Sequence, residues 1–230
     1  MAWRLPSGRA GPVATPPMSS GHYFEPDPQA PSRLRDVRLT LPDRTLSLRT
    51  DTGVFSAERV DPGTKLLLLD GPAPTAEHGP LLDLGCGYGP VAVTLALRCP
   101  EAEVVAVDIN ERALELCRHN AAEHGVADRI QVSTPDQVDP TVRFGQIWSN
   151  PPIRIGKTAL HEMLATWLAR LDADGSAHLV VSRHLGADSL ARWITDQGFT
   201  VARRGSRMGY RLLDVIPDAS PTSPPTTETT

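Results

Sequence analysis

A glycine-rich segment between a strand pattern and a helix pattern constrains the fold of this chain more than any other sequence feature. It comprises Asp83-Leu84-Gly85-Cys86-Gly87-Tyr88-Gly89-Pro90, at the end of the short apolar stretch of residues 81–84. Glycines permit a tight turn and let a ligand approach the backbone, which is typical of the first strand-to-helix turn in a doubly wound sheet. Asp108 ends the next strand pattern, where a carboxylate can accept hydrogen bonds from both hydroxyls of a ribose.

Strand and helix patterns alternate along the chain after residue 80. The predicted strands span 81–84, 103–107, 129–133, 144–149, 178–182, 199–203 and 209–216, and the predicted helices span 90–98, 111–124, 158–171 and 186–197. Repeated strand–helix–strand units form parallel sheets with helices on both faces. We therefore predict an α/β fold, doubly wound, with a mostly parallel seven-stranded sheet and an N-terminal β-hairpin extension.

The chain before residue 75 has a different pattern. Apolar and polar residues alternate over 36–50 on both sides of Pro42-Asp43, which is typical of a β-hairpin. Asp61-Pro62 fits the cap and first position of a short helix. Half of the 22 prolines lie in residues 1–31 and 217–230. We expect a disordered tail over 1–20, an extension over 21–74, a main domain over 75–217 and a second disordered tail over 218–230.

Charge and cysteine content exclude several classes of protein. The formal net charge of −4 excludes a globally basic nucleic-acid-binding protein and leaves a local basic patch open. No apolar run approaches the ~20 residues that span a bilayer, and no secretory signal is recognisable. The cysteines have no Cys-x-x-Cys spacing, so we expect a reducing, cytoplasmic setting. Ala165 stands where a zinc-protease motif beginning at His161 needs its second histidine, so we expect no metal.

The glycine loop distinguishes between two candidate cofactors, a dinucleotide and S-adenosylmethionine. A dinucleotide fingerprint needs a third glycine after two spacers, so that a helix N-terminus can bind a pyrophosphate. Pro90 occupies that position and removes one N–H donor from the site. S-adenosylmethionine has no phosphate and does not need that donor, and Asp83 suits an ammonium group better than a pyrophosphate. The sequence therefore favours S-adenosylmethionine.

A second motif, Asn150-Pro151-Pro152, follows the predicted strand over 144–149. The carboxyl ends of parallel strands share one edge of the sheet, so this loop is expected beside the cofactor. The prolines remove backbone donors, which leaves the Asn150 side-chain carbonyl and the Pro151 main-chain carbonyl as acceptors. Such a pair suits the two hydrogens of a planar –NH₂ group and aims its nitrogen lone pair at an electrophilic methyl group.

These motifs resemble the class I S-adenosylmethionine-dependent methyltransferases, in which Asn-Pro-Pro marks enzymes that methylate nucleobase or glutamine nitrogens. More narrowly, the chain resembles the ribosomal RNA small-subunit methyltransferase C family, which methylates the exocyclic N2 of guanine. That match rests on residues 53–56, 61–64 and 149–157 together with the glycine loop. It implies direct in-line methyl transfer, with ribosomal RNA or the small ribosomal subunit as partner.

The resemblance also implies roles for individual residues. Phe55 would line the methionine end of the cofactor, Asp108 would hold its ribose and Asp136 its adenine amino group. The full set of implied cofactor-binding residues is Phe55, Asp83, Gly85, Cys86, Gly87, Gly89, Asp108, Ile109, Asp136 and Asn150. The implied catalytic residues are Asn150, Pro151 and Pro152, and the implied substrate-binding residues are Ile153, Arg154 and Lys157.

The sequence also departs from the family pattern and leaves alternatives open. Ile153 stands where an aromatic residue often follows Asn-Pro-Pro, and Gly145 stands where an aspartate is common. We expect no room in these 230 residues for the second, degenerate domain that longer members carry. A glutamine amide, an adenine or a small-molecule amine stays open as acceptor, as does a non-catalytic cofactor-binding module. A second candidate phosphate-binding patch comprises Arg203, Arg204, Arg207 and Arg211. The oligomeric state is left open.

Overall fold

The structure, a computed structural model, describes residues 31–218. The tail predicted over 1–20, the start of the predicted extension and residues 219–230 lie outside the described residues. The described chain begins with the predicted hairpin, formed by β1 (Arg35–Thr40) and β2 (Thr45–Thr50), which pair antiparallel as a separate two-stranded sheet. Helix α1 (Pro62–Asp70) follows, with Asp61 as its cap, as the sequence predicts.

The remaining elements form one seven-stranded sheet covered by helices. In chain order they are β3 (Leu81–Leu84), α2 (Pro90–Arg98), β4 (Val104–Val107), α3 (Glu111–Glu123), β5 (Ile130–Ser133), β6 (Phe144–Ser149), α4 (Lys157–Leu168), β7 (Leu171–Ser182), α5 (Ala187–Asp196), β8 (Phe199–Arg207) and β9 (Tyr210–Pro217). The strand order is β5-β4-β3-β6-β7-β9-β8, in which β9 runs antiparallel to both neighbours and the other pairs are parallel. The predicted fold class is confirmed. No helix within residues 31–218 is long and apolar enough to cross a membrane.

The order of strands places a crevice at the centre of the sheet. From β3 the chain builds outward through β4 to β5, and it then returns to add β6 on the other side of β3. The connections therefore diverge between β3 and β6, which leaves space outside their carboxyl ends for a ligand. The glycine loop follows β3, Asp108 follows β4 and Asn150 follows β6, so all three predicted motifs reach this crevice.

Two apolar layers cover the sheet, and the hairpin belongs to one of them. Alternate residues of β3 face opposite sides, so Leu81 packs with the layer of α1, α2 and α3, and Leu82 packs with the layer of α4 and α5. The hairpin buries Leu39 and Leu48 in the first layer. Asn120 of α3 links the two parts, because its side chain accepts from the Arg49 N–H at 2.7 Å and donates to the Arg49 carbonyl at 2.9 Å.

The helix predicted over 158–171 is three residues too long at its carboxyl end. It ends at Leu168, and Leu171 already belongs to β7, where it pairs with Phe144. The strand predicted over 178–182 is accordingly longer, because β7 starts at Leu171 and contains an irregularity opposite Phe144 and Gln146. Leu171 is buried whether it belongs to a helix or to a strand, so apolar spacing could not distinguish the two.

Candidate active site

A cavity of about 930 Å³ lies in the crevice at the carboxyl ends of β3, β4 and β6. Its volume falls within the range typical of small-molecule and cofactor sites. The structure brings most of the predicted site residues to its wall: Phe55, Asp83, Gly85, Cys86, Gly87, Asp108, Ile109, Asn150, Pro151, Pro152, Ile153 and Arg154.

The glycine loop forms the floor of one side of the cavity. We call this side, with Asp83 and Asp108, the cofactor side, and the side with Asn150 and Pro151 the acceptor side. The N–H groups of Gly85 and Cys86 both donate to the Val107 carbonyl oxygen, at 2.8 and 3.0 Å, which ties the loop to the end of β4. Gly85 and Gly87 have φ angles of +76° and +54°, and a methyl group added at either would meet nothing within 4 Å. The backbone conformation, rather than crowding by protein, therefore requires glycine there. The space above both residues stays open to a ligand.

Two carboxylates face the cavity beside this loop. Asp83 is 2 % exposed, and its Oδ2 accepts a 2.8 Å hydrogen bond from the Ala92 N–H in the first turn of α2. Burial, reinforced by the neighbouring charge of Asp108, raises the pKa of Asp83 to about 7. Asp108 accepts hydrogen bonds from the N–H groups of Gly87 and Asn110, at 2.9 and 3.0 Å, and burial raises its pKa as well. Nearby positive charge or donated hydrogen bonds would therefore stabilise both ionised groups.

Asn150 is held on the other side of the cavity by α1. Its Nδ2 donates to Asp61 Oδ1 at 2.7 Å and to Thr64 Oγ1 at 2.9 Å. An ionised carboxylate only accepts hydrogen bonds, so the amide nitrogen must point toward Asp61. Because both amide hydrogens face α1, the Asn150 oxygen is left as an acceptor. The Pro151 carbonyl also accepts a 2.8 Å bond from the Ile153 N–H, so one of its lone pairs remains.

Several wall residues were missed by the sequence analysis. Asp61 was recognised only as the cap of α1, where it accepts from the N–H groups of Gly63 and Thr64 at 2.8 and 3.1 Å. Its contact with Asn150 joins residues 89 positions apart, which no local pattern indicates. Further wall residues that were not predicted include Ser56, Thr64, Asn110, Met163, Trp167, Ser182, Leu185 and Tyr210.

Three predicted site residues do not line the cavity. Gly89 adopts a φ of +87°, and a Cβ there would come within 2.6 Å of Cys117 Sγ, so close packing against α3 explains this glycine. Asp136 is exposed in a short turn over residues 135–137, and only its neighbour Pro135 reaches the wall. Lys157 is exposed at the start of α4. Their proposed contacts with cofactor or substrate stay predictions.

The second arginine patch predicted from the sequence is neutralised by acidic partners. Asp188 Oδ1 and Oδ2 accept from Arg203 and Arg211, at 3.0 and 2.8 Å. Arg204 pairs with Asp214 at 2.7 Å, and Arg207 pairs with Asp70 at 3.1 Å. Arg154 instead lines the cavity, is exposed and has no ion pair within residues 31–218. The unpaired positive charge of Arg154 therefore lies at the cavity wall, whereas the arginines of the second patch have acidic partners.

A serine–histidine–aspartate contact chain lies within the sheet and away from the cavity wall. Ser176 Oγ is 3.0 Å from His178 Nε2, and His178 Nδ1 is 2.9 Å from Asp214 Oδ1. His178 is 4 % exposed and packs against Trp148, with ring centroids 4.8 Å apart. No cavity described for residues 31–218 is lined by Ser176. The arrangement links β7 to β9 and offers no space for a hydrolase substrate.

Comparison with known proteins identifies the family. The model of the methyltransferase small domain family matches residues 45–212, which is most of the chain. The chain belongs to this family. Because it belongs to this family, the chain is an S-adenosylmethionine-dependent methyltransferase, and S-adenosylmethionine is its cofactor.

Similar proteins fall into two groups by length. The uncharacterized protein YbxB of Bacillus subtilis is 32 % identical over 197 residues, which cover 84 % of this chain and 97 % of that protein. Ribosomal RNA small subunit methyltransferase C of Aeromonas hydrophila is 37 % identical over 147 residues, which cover 62 % of this chain and 42 % of that protein. The chain thus spans under half the length of that second relative.

Solved structures support the fold. The 16S rRNA N2 G1207 methyltransferase of T. Thermophilus, solved in complex with AdoMet and guanosine, superposes with a TM-score of 0.66 at 24 % identity. The match covers 81 % of this chain and 51 % of that chain. A ribosomal protein L11 methylase from Lactobacillus delbrueckii gives a TM-score of 0.55 at 21 % identity. At these identities the likeness establishes the shared methyltransferase fold.

Proposed function

We propose that this methyltransferase transfers a methyl group to the exocyclic N2 of a guanine in 16S ribosomal RNA. The observation that carries the proposal is the orientation of Asn150, whose two amide hydrogens point to Asp61 and Thr64. The Asn150 oxygen is therefore available to accept a hydrogen bond from the acceptor molecule. A site that presents an oxygen acceptor selects an amine, which donates, over a carbonyl group, which cannot.

The cofactor side of the cavity fits S-adenosylmethionine. When bound, the cofactor supplies a methyl group already activated by a sulfonium centre. Asp83 would hold its ammonium group, and Asp108 would accept from its ribose hydroxyls. Within residues 31–218 neither carboxylate has an ion pair, and burial raises the pKa of each, so positive charge or donated hydrogen bonds from a ligand would stabilise their ionised forms. The open space above Gly85 and Gly87 gives the cofactor room to lie on the loop.

The acceptor side would act by positioning. Asn150 Oδ1 and the remaining lone pair of the Pro151 carbonyl would hold the two hydrogens of the target amine, which leaves the nitrogen lone pair facing the methyl group. Positioning and electrostatics supply most of the rate enhancement in such a transfer. The amine becomes more acidic as the new N–C bond forms, so a proton leaves to solvent during or after attack. No strong base is required in the loop over residues 150–153.

The choice of guanine in ribosomal RNA has support from the relatives and from charge. Two relatives, which are 37 % and 34 % identical, carry the name ribosomal RNA small subunit methyltransferase C. This chain spans under half of the length of each. Arg154, exposed at the cavity wall, suits a phosphate group. Ile153 provides an apolar wall for the target base in place of an aromatic ring.

The test is mass-spectrometric nucleoside analysis of 16S ribosomal RNA from cells that lack the gene. We expect the loss of one N2-methylguanosine, restored by the wild-type gene and not by Asn150→Ala. Asp128→Asn, which changes an exposed residue away from the cavity wall, serves as the matched control and should restore the modification. An unchanged modification profile in the deletion strain would overturn the ribosomal-RNA assignment. Protein glutamines and small amines would then be tested as acceptors.

A further inference from the structure

The turn between β8 and β9 has an unusual residue at its tip. Arg207 pairs with Tyr210, so Met208 and Gly209 form a two-residue turn, with φ angles of +53° and +82°. Two-residue turns with positive φ at both positions favour asparagine, aspartate or glycine at the first of them. A methionine is sterically disfavoured in this conformation, and its side chain has no polar group that could form a hydrogen bond with the backbone. Met208 is therefore poorly suited to the turn it occupies.

Met208 is also exposed, at a place joined to the cavity wall. At 71 % exposure it is the most exposed of the large apolar side chains in residues 31–218. The Arg183 N–H donates to the Gly209 carbonyl at 2.8 Å, which fixes the turn against the segment after β7. In that segment Leu185 lines the cavity and is 49 % exposed. We call Arg183, Leu185, Met208 and Gly209 the rim.

Charge at the rim is positive and uncompensated. Arg183 is exposed and has no ion pair within the part of the chain that the structure describes. The nearby acidic groups are already engaged, because Asp188 pairs with two arginines and Asp70 pairs with Arg207. The rim therefore sets a free guanidinium beside two exposed apolar side chains at the edge of the cavity.

We infer that the rim binds the nucleotide adjoining the target base in a single-stranded segment of RNA. The inference rests on the proposed function. Unstacked RNA bases present flat faces for apolar and sulfur-containing side chains, and the phosphate beside each base pairs with arginine. Met208 and Leu185 contact the base face, and Arg183 contacts its phosphate. In a duplex the base faces are stacked on their neighbours and are not available to the rim.

Met208→Asn tests the inference because the two roles of the residue predict opposite effects. Asparagine suits the turn, so the melting temperature of the variant should rise by roughly 1–3 °C. It lacks the apolar surface, so the Kd for a fluorescent single-stranded RNA decamer containing one guanosine should rise roughly threefold to tenfold. Fluorescence anisotropy at one fixed salt concentration measures that Kd. Ile216→Thr, an exposed apolar residue at the far end of β9, is the matched control and should bind RNA as the wild type does.

Each outcome decides the inference. A rise in melting temperature with weaker RNA binding supports it. Unchanged RNA binding by Met208→Asn overturns it, as does a fall in melting temperature, which would make Met208 a structural residue of the turn. A wild-type protein that restores N2-methylguanosine in cells but does not bind the decamer also overturns the rim assignment, and the proposed function survives. Absence of that restoration overturns the proposed function itself, independently of the decamer.

Discussion

The cofactor side and the acceptor side of the cavity satisfy their charged groups in different ways. Within residues 31–218, Asp83 and Asp108 receive hydrogen bonds only from backbone N–H groups, and burial raises the pKa of each. Asp61, across the cavity, accepts from two N–H groups of α1 and from Asn150. The cofactor side is therefore suited to a ligand that brings positive charge and hydrogen-bond donors. On the acceptor side, hydrogen bonds within the protein already fix the orientation of the Asn150 amide.

The largest effect should follow from neutralising the cofactor side. Asp83→Asn should weaken S-adenosylmethionine binding by about a hundredfold, because the ammonium group would lose the buried charged partner that we propose for it. The same change should stabilise the cofactor-free protein. The folded-state pKa of Asp83 is about 7 against a usual value of 3.8, so stability is lost as pH rises between those values. At pH 8 the variant should regain up to about 4 kcal/mol, since each unit of difference in pKa corresponds to about 1.4 kcal/mol.

Isothermal titration calorimetry and thermal unfolding of the cofactor-free protein measure the two effects. Asp128→Asn neutralises an exposed aspartate and should change neither quantity. An Asp83→Asn protein that is less stable than the wild type at pH 8 would contradict the comparison. The carboxylate would then be satisfied by the protein alone, as Asp61 is.

The acceptor side should respond in the methyl-transfer step rather than in cofactor binding. Asparagine caps helices about as well as aspartate, so Asp61→Asn should keep α1 intact. Its side chain can donate as well as accept, and the Asn150 amide is then free to rotate its oxygen away from the acceptor. We expect kcat to fall by about tenfold to a hundredfold, because a misplaced acceptor group loses its positioned geometry. The KM for S-adenosylmethionine should stay unchanged.

Single-turnover methyl transfer to RNA, with cofactor binding measured in parallel, separates those quantities. Asp139→Asn is the matched control, since Asp139 likewise caps a local turn through the Thr141 N–H and does not line the cavity. A variant that loses cofactor affinity while keeping its kcat would assign Asp61 to the cofactor side instead.

The two sides also differ in how well the sequence predicted them. The cofactor side is built from two short local motifs, and a glycine loop after one strand with an acidic residue after the next suffices to place it. The acceptor side depends on α1 meeting the loop after β6. Asp61 and Asn150 were both noted in the sequence, but their contact is a property of the tertiary structure.

Charge pairing was the least predictable feature. Four arginines near the carboxyl terminus of the described chain predicted a basic patch, because only Asp214 is close to them in sequence. In the fold, Asp188 of α5 and Asp70 of α1 reach the same strands and neutralise three of the arginines. Local charge counts cannot include partners that only the packing of helices on β8 and β9 supplies.

A third prediction uses pH to distinguish the two sides. Below pH 7 the Asp83 carboxyl gains a proton, and an ammonium group can then bind only by displacing it. The Kd for S-adenosylmethionine should therefore rise by up to about tenfold per unit of pH below about 7, and should level off above it. Calorimetric titration from pH 6 to pH 8 measures this dependence. The Asp83→Asn protein should show a much flatter profile, and an equally steep one would assign the titration to another group.

We expect the smallest effect from arginines outside the cavity or at its edge, some of which form ion pairs within the protein while others do not. Arg154 has no ion pair within residues 31–218, whereas Arg203 bonds to Asp188 at 3.0 Å. Arg154→Ala should raise the Kd for single-stranded RNA by about threefold and lower the slope of log K against log salt by about 0.7. Arg203→Ala should change both less, because its charge is already shared with a carboxylate. Equal losses in the two variants would mean that ion pairing within the fold does not decide which arginines contact RNA. The contrast between paired and unpaired charged groups would then apply inside the cavity and not outside it.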